Sequence, residues 1–278
     1  MKFGCHLSIK EGYLGAAKQA VVINAAAFQY FPKNPRSLGV KNFNKEDSAQ
    51  CKMFCIENDL ISVSHSPYPS RLTPHHEQKR RQVVASLRND LEIAEACGSI
   101  GVVVHFGKRI HSDPLSSYQL MIQMLNEILQ HWEGKAKLLI ENNAGVPGSM
   151  GTTLEELVQV RNLCEYPEKI GFCLDTCHAF ASGLWTGDNW EELLEKGNAN
   201  GYFDKLKVIH LNNSKYPPRL GKDRHAPIFG SGYITEEQFD QLMKTPQFQK
   251  IPFILETPKE DIPHVREIKL LQERWGDD

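Results

Sequence analysis

Ile170-Gly-Phe-Cys-Leu-Asp175 runs directly into Thr176-Cys-His-Ala-Phe-Ala-Ser-Gly183. A short apolar run that ends on a carboxylate and turns at once into a helical stretch reads as one βα unit. Seven other runs have the same character: Lys2–His6, Ala26–Phe31, Ile61–His65, Ile100–His105, Lys137–Glu141, Leu206–His210 and Pro252–Glu256. Between them lie helical stretches: Glu77–Ala96, Ser116–Glu133, Thr153–Asn162 with its Thr153-x-x-Glu156 capping pattern, Thr235–Lys244 and Ile262–Arg274. Strict alternation of strand and helix implies a parallel sheet. Eight units in 278 residues, about 35 residues each, match the size of a (β/α)8 TIM barrel. An open doubly wound sheet is the competing architecture. It would carry a glycine-rich turn after its first strand, whereas here His6-Leu-Ser-Ile-Lys-Glu-Gly12 follows. No linker or low-complexity tract divides the chain, so one domain over residues 1–278 is the expectation.

The composition, 41% hydrophobic and 24% charged, excludes fibrous and disordered classes. No run reaches the ~20 apolar residues of a membrane span, and the opening Met1–Lys10 lacks the features of a signal peptide. A soluble, cytoplasmic protein is expected, with no membrane partner. The 32 Lys and Arg against 34 Asp and Glu leave a formal charge of −2, so no global basic field points to nucleic acid. A cluster of dications could supply that potential locally. The seven cysteines form neither a CxxC pair nor a disulfide framework and are expected to be reduced.

The decisive chemistry lies at the ends of the runs. From the third to the eighth they close on His65, His105, Glu141, Asp175, His210 and Glu256, at spacings of 40, 36, 34, 35 and 46 residues. All six are metal-ligand types, and in a barrel all six reach the C-terminal mouth, where active sites of this fold are built. Any one alone would be an ordinary solvated strand end; six without exception are not. Two loop features join them: His178, three residues after Asp175, and the pair Asp223 and His225. Nine ligands, five His, two Asp and two Glu, exceed what one zinc with an open position takes and imply three ions with bridging carboxylates. Mixed imidazole and carboxylate ligation suits Zn²⁺, with Mn²⁺ or Fe²⁺ as substitutes and Mg²⁺ disfavoured. Two close ions that activate water, and a third on the leaving oxygen, suit cleavage of a phosphodiester. No serine or cysteine nucleophile competes, since Gly230-Ser231-Gly232 lacks the GxSxG spacing.

These residues resemble the endonuclease IV family of abasic-site endonucleases over nearly the whole chain. The most specific segments are Cys173-Leu-Asp-Thr-Cys-His-Ala-Phe-Ala-Ser-Gly183, Val208-Ile-His-Leu-Asn-Asn-Ser-Lys215 and Asp223-Arg-His225. Leu139-Ile-Glu-Asn-Asn143, Phe31-Pro-Lys-Asn-Pro-Arg36 and Gly4-Cys-His-Leu-Ser8 support them. The resemblance implies a TIM barrel with three zinc ions and a DNA-binding crescent of loops. The first zinc would lie on His65, His105 and Glu141. The second would take Glu141 as a bridge with Asp175, His210 and Glu256, and the third His178, Asp223 and His225. The implied reaction on damaged double-stranded DNA is attack of zinc-activated hydroxide on the phosphate 5′ to an abasic sugar, leaving a 3′-hydroxyl and a 5′-deoxyribose phosphate. Trimming of blocked 3′ ends is a related activity.

Glu141, Glu256 and Asp175 are the catalytic carboxylates in this reading. Arg36 and Tyr68 resemble DNA-inserting residues. Lys33, Lys215, Lys222 and Arg224 are candidate phosphate contacts. His6 faces the mouth outside the metal set, while His75, His76, His111, His131 and His264 are expected to be solvated.

The chain departs from the family at Pro69, in place of an apolar wedge, and at Phe106-Gly107, in place of Pro-Gly. It departs also in the longer Asn142–Gly151 loop and in Ala226–Gly232. Metal chemistry is therefore better founded than the abasic substrate. Two alternatives follow: a sugar or sugar-phosphate isomerase or epimerase of the xylose-isomerase-like barrels, which leaves His178, Asp223 and His225 without a task, and a non-catalytic damage-binding protein, which would be expected to lose a ligand. A monomer without an obligate protein partner is expected, because clamping a duplex needs the mouth free.

Overall fold

The computed structural model describes residues 1–110 and 112–276; His111 lies outside the described residues. Eight parallel strands close into a barrel: β1 (Lys2–His6), β2 (Ala27–Tyr30), β3 (Ile61–His65), β4 (Gly101–His105), β5 (Lys137–Glu141), β6 (Ile170–Asp175), β7 (Leu206–His210) and β10 (Pro252–Leu255). The strands between them in number, β8 (Asn213–Ser214) and β9 (His225–Ala226), form a small antiparallel ribbon in the loop after β7. The helices are α1 (Gly12–Val22), α2 (Lys45–Glu57), α3 (Glu77–Ala96), α4 (Pro114–Leu129), α5 (Leu154–Leu163), α6 (Thr176–Ser182), α7 (Trp190–Ala199), α8 (Glu236–Met243) and α9 (His264–Trp275). The barrel expected from the alternating runs is the fold observed.

Helix boundaries follow their caps. Thr153 and Glu156 form the reciprocal capping box at the start of α5, and Thr235 with Gln238 forms another on α8. The sequence reading begins the fourth helix at Ser116, but the Asp113 carboxylate accepts from the amides of Leu115 and Ser116, so α4 starts at Pro114. The last helix begins at His264 and not at Ile262, because Pro263 sits at its N-cap.

The barrel interior is layered. Ala27, Val63, Val103, Leu139, Cys173, Val208 and Ile254, one from each of seven strands, touch in a buried apolar cluster. On β1 the corresponding place is Gly4, which is in register with Ala27. A Cβ there would lie 1.8 Å from the Ala27 carbonyl oxygen, so only glycine lets β1 and β2 approach this closely. Outside the barrel a second, larger core fills the space between strands and helices.

Candidate metal centre

Side chains two residues apart on a strand point the same way. Two positions beyond each member of the apolar layer stand His6, Gln29, His65, His105, Glu141, Asp175, His210 and Glu256. Every strand of the barrel thus supplies one polar group, and the eight ring the C-terminal mouth. Two loops complete the site. The carboxylate of Asp175 accepts from the amide of His178 at 2.7 Å and so starts α6 with His178 turned back over the ring. The β8–β9 ribbon, with Ser214 opposite His225, folds the loop after β7 back so that Asp223 and His225 face it.

Glu141 lies at the centre and is fully buried. Its Oε2 is 3.2 Å from His105 Nε2 and 3.6 Å from His65 Nε2. Its Oε1 is 2.9 Å from His210 Nδ1 and 3.4 Å from His178 Nδ1. His210 Nδ1 also lies 3.3 Å from Glu256 Oε2 and 3.8 Å from Asp175 Oδ2. Asp223 places Oδ2 3.4 Å from His178 Nε2 and Oδ1 3.4 Å from His225 Nε2, which is 3.7 Å from Asp175 Oδ2. All nine residues singled out in the sequence are therefore brought together. They fall into three groups whose ligand atoms lie within 4.8 Å of one another: His65, His105 and Glu141; Glu141, Asp175, His210 and Glu256; and His178, Asp223 and His225. Two further groupings include Cys173 or Cys177. Burial pushes both thiols up, Cys173 to about 12, and a neutral thiol is a poor ligand. The seven cysteines are all buried and unpaired.

The neighbouring groups orient this set. His65 Nδ1 donates to the Ser66 carbonyl at 2.8 Å, His178 Nδ1 to the Asn142 carbonyl at 2.9 Å, and His225 Nδ1 to the Glu256 carbonyl at 3.2 Å. His210 Nε2 donates to Gln29 Oε1 at 2.8 Å. In each of these imidazoles one nitrogen is tied to an acceptor, leaving the other as a lone pair for the cluster, the usual arrangement behind a metal-binding histidine. Asn212 donates to Asp175 Oδ2 at 2.7 Å and accepts from the Glu256 amide, while Asn142 brackets the Asp175 backbone. Glu141 Oε2 and His225 Nε2 are buried without a hydrogen-bond partner. Buried polar atoms normally find one. Orphan atoms that face other ligand atoms at 3.2–3.7 Å suit a shared cation, so the donor set fits metal ions.

The electrostatics agree. Burial opposes charge on His210, but Cys173, Glu256 and Glu141 outweigh it and raise its pKa well above that of a free imidazole. Burial likewise opposes charge on His178, which Asp175, Asp223 and Glu141 hold well above the ordinary value. His225 is raised to about 9 against the same opposition, by its bond to Asp223 and by Asp175 and Glu256. Burial would raise Glu141, yet His210 and His105 hold it well below the carboxylate range; Glu256 is held at about 2, with His210 the main force against burial. Four carboxylates around five imidazoles form a site that demands positive charge. His6 is the exception, lowered to about 3 chiefly by burial.

The rim differs from expectation at two places. Lys33 does not reach for phosphate: it is buried, with Nζ 2.9 Å from Asp90 Oδ1 and 2.8 Å from the Ser86 carbonyl, and so pins the loop after β2 to α3. His264 is not solvated but buried, its Nε2 donating to the Thr257 carbonyl at 2.9 Å. His75, His76 and His131 are exposed, as read. Arg36 is exposed, and Tyr68, 64% exposed, rests its ring against Phe31 and donates its amide to the Pro35 carbonyl. Lys215 pairs with Asp261, Lys222 lies over the Tyr216 ring, and Arg224 bonds the Asp223 carbonyl. Gln29 is the residue that the sequence reading missed. Its signal was its place two positions after an inward alanine, in a run read only as apolar.

A parallel (β/α)8 barrel whose mouth offers imidazole and carboxylate in cation-sized groups is the class that fold and site define, and the family model described as xylose isomerase-like TIM barrel matches residues 17–274. A protein from Symbiobacterium thermophilum named probable endonuclease 4 is 40% identical over 261 residues, 94% of each chain. The crystal structure of endonuclease IV from Thermus thermophilus matches with a TM-score of 0.85 at 29% identity, covering 99% of this chain and 100% of that one. The chain belongs to the endonuclease IV family of the xylose isomerase-like TIM barrels. A D-tagatose 3-epimerase-like protein shares the fold alone, at a TM-score of 0.71 and 21% identity over 98% of this chain and 96% of that one. Among the described residues no helix is long and apolar enough to cross a membrane.

Proposed function

We propose that this protein is a DNA-repair endonuclease that hydrolyses the phosphodiester 5′ to an abasic site in duplex DNA, leaving a 3′-hydroxyl and a 5′-deoxyribose phosphate. The observation that carries the reading is the third ligand group. His178, Asp223 and His225 approach one another on loops above a ring that already offers two such groups, and a sugar isomerase has no use for them.

His65, His105 and Glu141 would hold one zinc, Glu141, Asp175, His210 and Glu256 a second, and His178, Asp223 and His225 a third, with Mn²⁺ as a substitute. When bound, the ions supply Lewis acidity for water activation and for the charge that develops on phosphate and leaving oxygens. Glu141 is fully enclosed and bridges two groups, so its task is to fix them relative to each other. The Glu256 side chain is 20% exposed, whereas that of Asp175 is fully buried and that of Glu141 nearly so. Glu256 is thus the carboxylate of the ring open to the cleft, placed to orient the attacking water through Oε2. Asp175 keeps Asn212 and the start of α6 in place. Arg36 and Tyr68 lie on adjoining loops of the rim and are the residues we assign to DNA contact. The unit is taken as residues 1–278, cytoplasmic, acting without an obligate protein partner.

The test is incision of an end-labelled duplex carrying one abasic analogue, with an undamaged duplex alongside and metal content measured. Cleavage 5′ to the lesion with a 3′-hydroxyl and about three zinc ions per chain are expected. No incision by fully loaded protein would overturn the reading and turn attention to sugar phosphates.

A further inference from the structure

Gln29 is the one amide of the polar ring and is fully buried. Strand register sets it beside His6, the two residues being direct partners between β1 and β2. Its amide makes three bonds. Nε2 donates to Glu256 Oε1 at 2.6 Å and faces His6 Nδ1 at 3.1 Å, and Oε1 accepts from His210 Nε2 at 2.8 Å.

The carboxylate of Glu256 can only accept, so it fixes which end of the amide is nitrogen. Two consequences follow. His210 must carry a proton on Nε2, so Nδ1 is the nitrogen that would offer its lone pair to an ion shared with Glu141 and Glu256. The second amide proton meets His6 Nδ1, which must then be a lone pair, so His6 is a neutral imidazole with its proton on Nε2. Among the described residues that Nε2 has no protein partner. The His6 ring lines the cavity of about 290 Å³ that opens over the cluster, where ligand-group residues from His65 to Glu256 form one wall and Phe31, Tyr68, Lys259 and His264 stand with His6 on the other. A fixed N–H donor next to a lysine in a cleft is a site for an anionic oxygen.

We propose that Gln29 is a positioning residue that sets the tautomers of His210 and His6, and that His6, so held, donates from Nε2 to a phosphate oxygen of the substrate, with Lys259 beside it. The phosphate contact rests on the DNA phosphodiesterase reading; the positioning role does not.

Imidazole nitrogen shifts of the ¹⁵N-labelled, zinc-loaded protein test the tautomer directly. His6 protonated at Nε2 and bare at Nδ1 is expected, and the opposite tautomer, or an imidazolium at neutral pH, overturns the proposal. Gln29→Leu removes all three bonds and is expected to weaken zinc retention against a chelator about 10–100-fold. A folded Gln29→Leu protein that keeps its zinc as the wild type does overturns the positioning role; if that variant does not fold, Gln29→Met is put to the same chelator test, and the wild-type spectrum still decides. His6→Phe, with zinc content unchanged, is expected to bind DNA ~10-fold more weakly. Two probes separate the sources of the phosphate: a duplex with an internal tetrahydrofuran residue, and a nicked duplex ending in a 3′-phosphate. Loss on either supports the contact and says which phosphate His6 reads, while unchanged binding to both overturns it. Absence of incision with the expected tautomer and zinc retention would sink the nuclease reading and leave the role of Gln29 standing.

Discussion

Two adjacent layers of one barrel carry opposite chemistry on the same eight strands. The lower holds Ala27, Val63, Val103, Leu139, Cys173, Val208 and Ile254 in mutual contact, and the upper, one side-chain step along, holds His6, Gln29, His65, His105, Glu141, Asp175, His210 and Glu256. The lower layer seals the floor and excludes water, which strengthens every charge interaction above it. The upper layer is then the last level at which an ionised group can be buried and still find partners from the loops. A site of this kind is built by the step between layers as much as by its ligands.

The sharpest way to break the contrast is to move charge down one step. Val103→Asp places a carboxylate where the surroundings are apolar, with a penalty of several kcal/mol, comparable to the whole stability of a domain. Loss of cooperative thermal unfolding is expected. A folded variant with a normal melting temperature would show that the lower layer is not a seal. In the upper layer, Glu256→Gln keeps shape and removes charge. It is expected to fold normally and to lose turnover by about two to three orders of magnitude in the abasic-site incision assay; near-wild-type turnover would take Glu256 out of the reaction.

The layering also explains what could be read from sequence. Six strand ends announced themselves because histidine, aspartate and glutamate recur at one βα period, and local chain geometry carries that period into the fold. Gln29 has the same position but not a ligand's chemistry, and the run was read through to Phe31, past the inward residue. Lys33 was misread for a different reason. Its partner Asp90 lies 57 residues on, in α3, and only the barrel brings them together. His264 is hidden at shorter range, by the carbonyl of Thr257 in the loop that precedes its own helix. Periodic features are legible, whereas burial of a rim residue is decided by how loops and distant elements fold over it.

A pH series sharpens the comparison further, because the lower layer's one thiol, Cys173, is pushed up to about 12 and only the upper layer titrates below that. His225 has its pKa raised to about 9, and His178 and His210 are raised as well. An imidazole raised above its unfolded value of about 6.5 stabilises the fold fully below that pH, and the contribution is lost as pH rises through the folded pKa. Glu256, held at about 2, contributes above the ordinary carboxylate value and is lost only in strong acid. The metal-free protein should therefore lose melting temperature between about pH 6.5 and about pH 9. Ions replace those protons when they bind, so the zinc-loaded protein should stay nearly level over that window. Parallel slopes with and without zinc would show that the imidazoles do not face the ions.

The smallest effects are expected at the rim, where Arg36 and Tyr68 are exposed and held to each other's loops by the bond from the Tyr68 amide to the Pro35 carbonyl. Neither side chain belongs to any of the three ligand groups, so neither substitution should change zinc content. Arg36→Ala removes one phosphate contact and should weaken binding while lowering the salt dependence by about one counterion. Tyr68→Ala removes a ring that meets Phe31 in an edge contact and is otherwise exposed. Its cost should be about that of one base stacked on an aromatic side chain, ~1–3 kcal/mol in binding, with turnover at saturating DNA preserved. If either variant instead lost turnover as severely as Glu256→Gln, the rim would be acting on the reacting atoms, and the division between a ring that performs chemistry and loops that hold DNA would have to be redrawn.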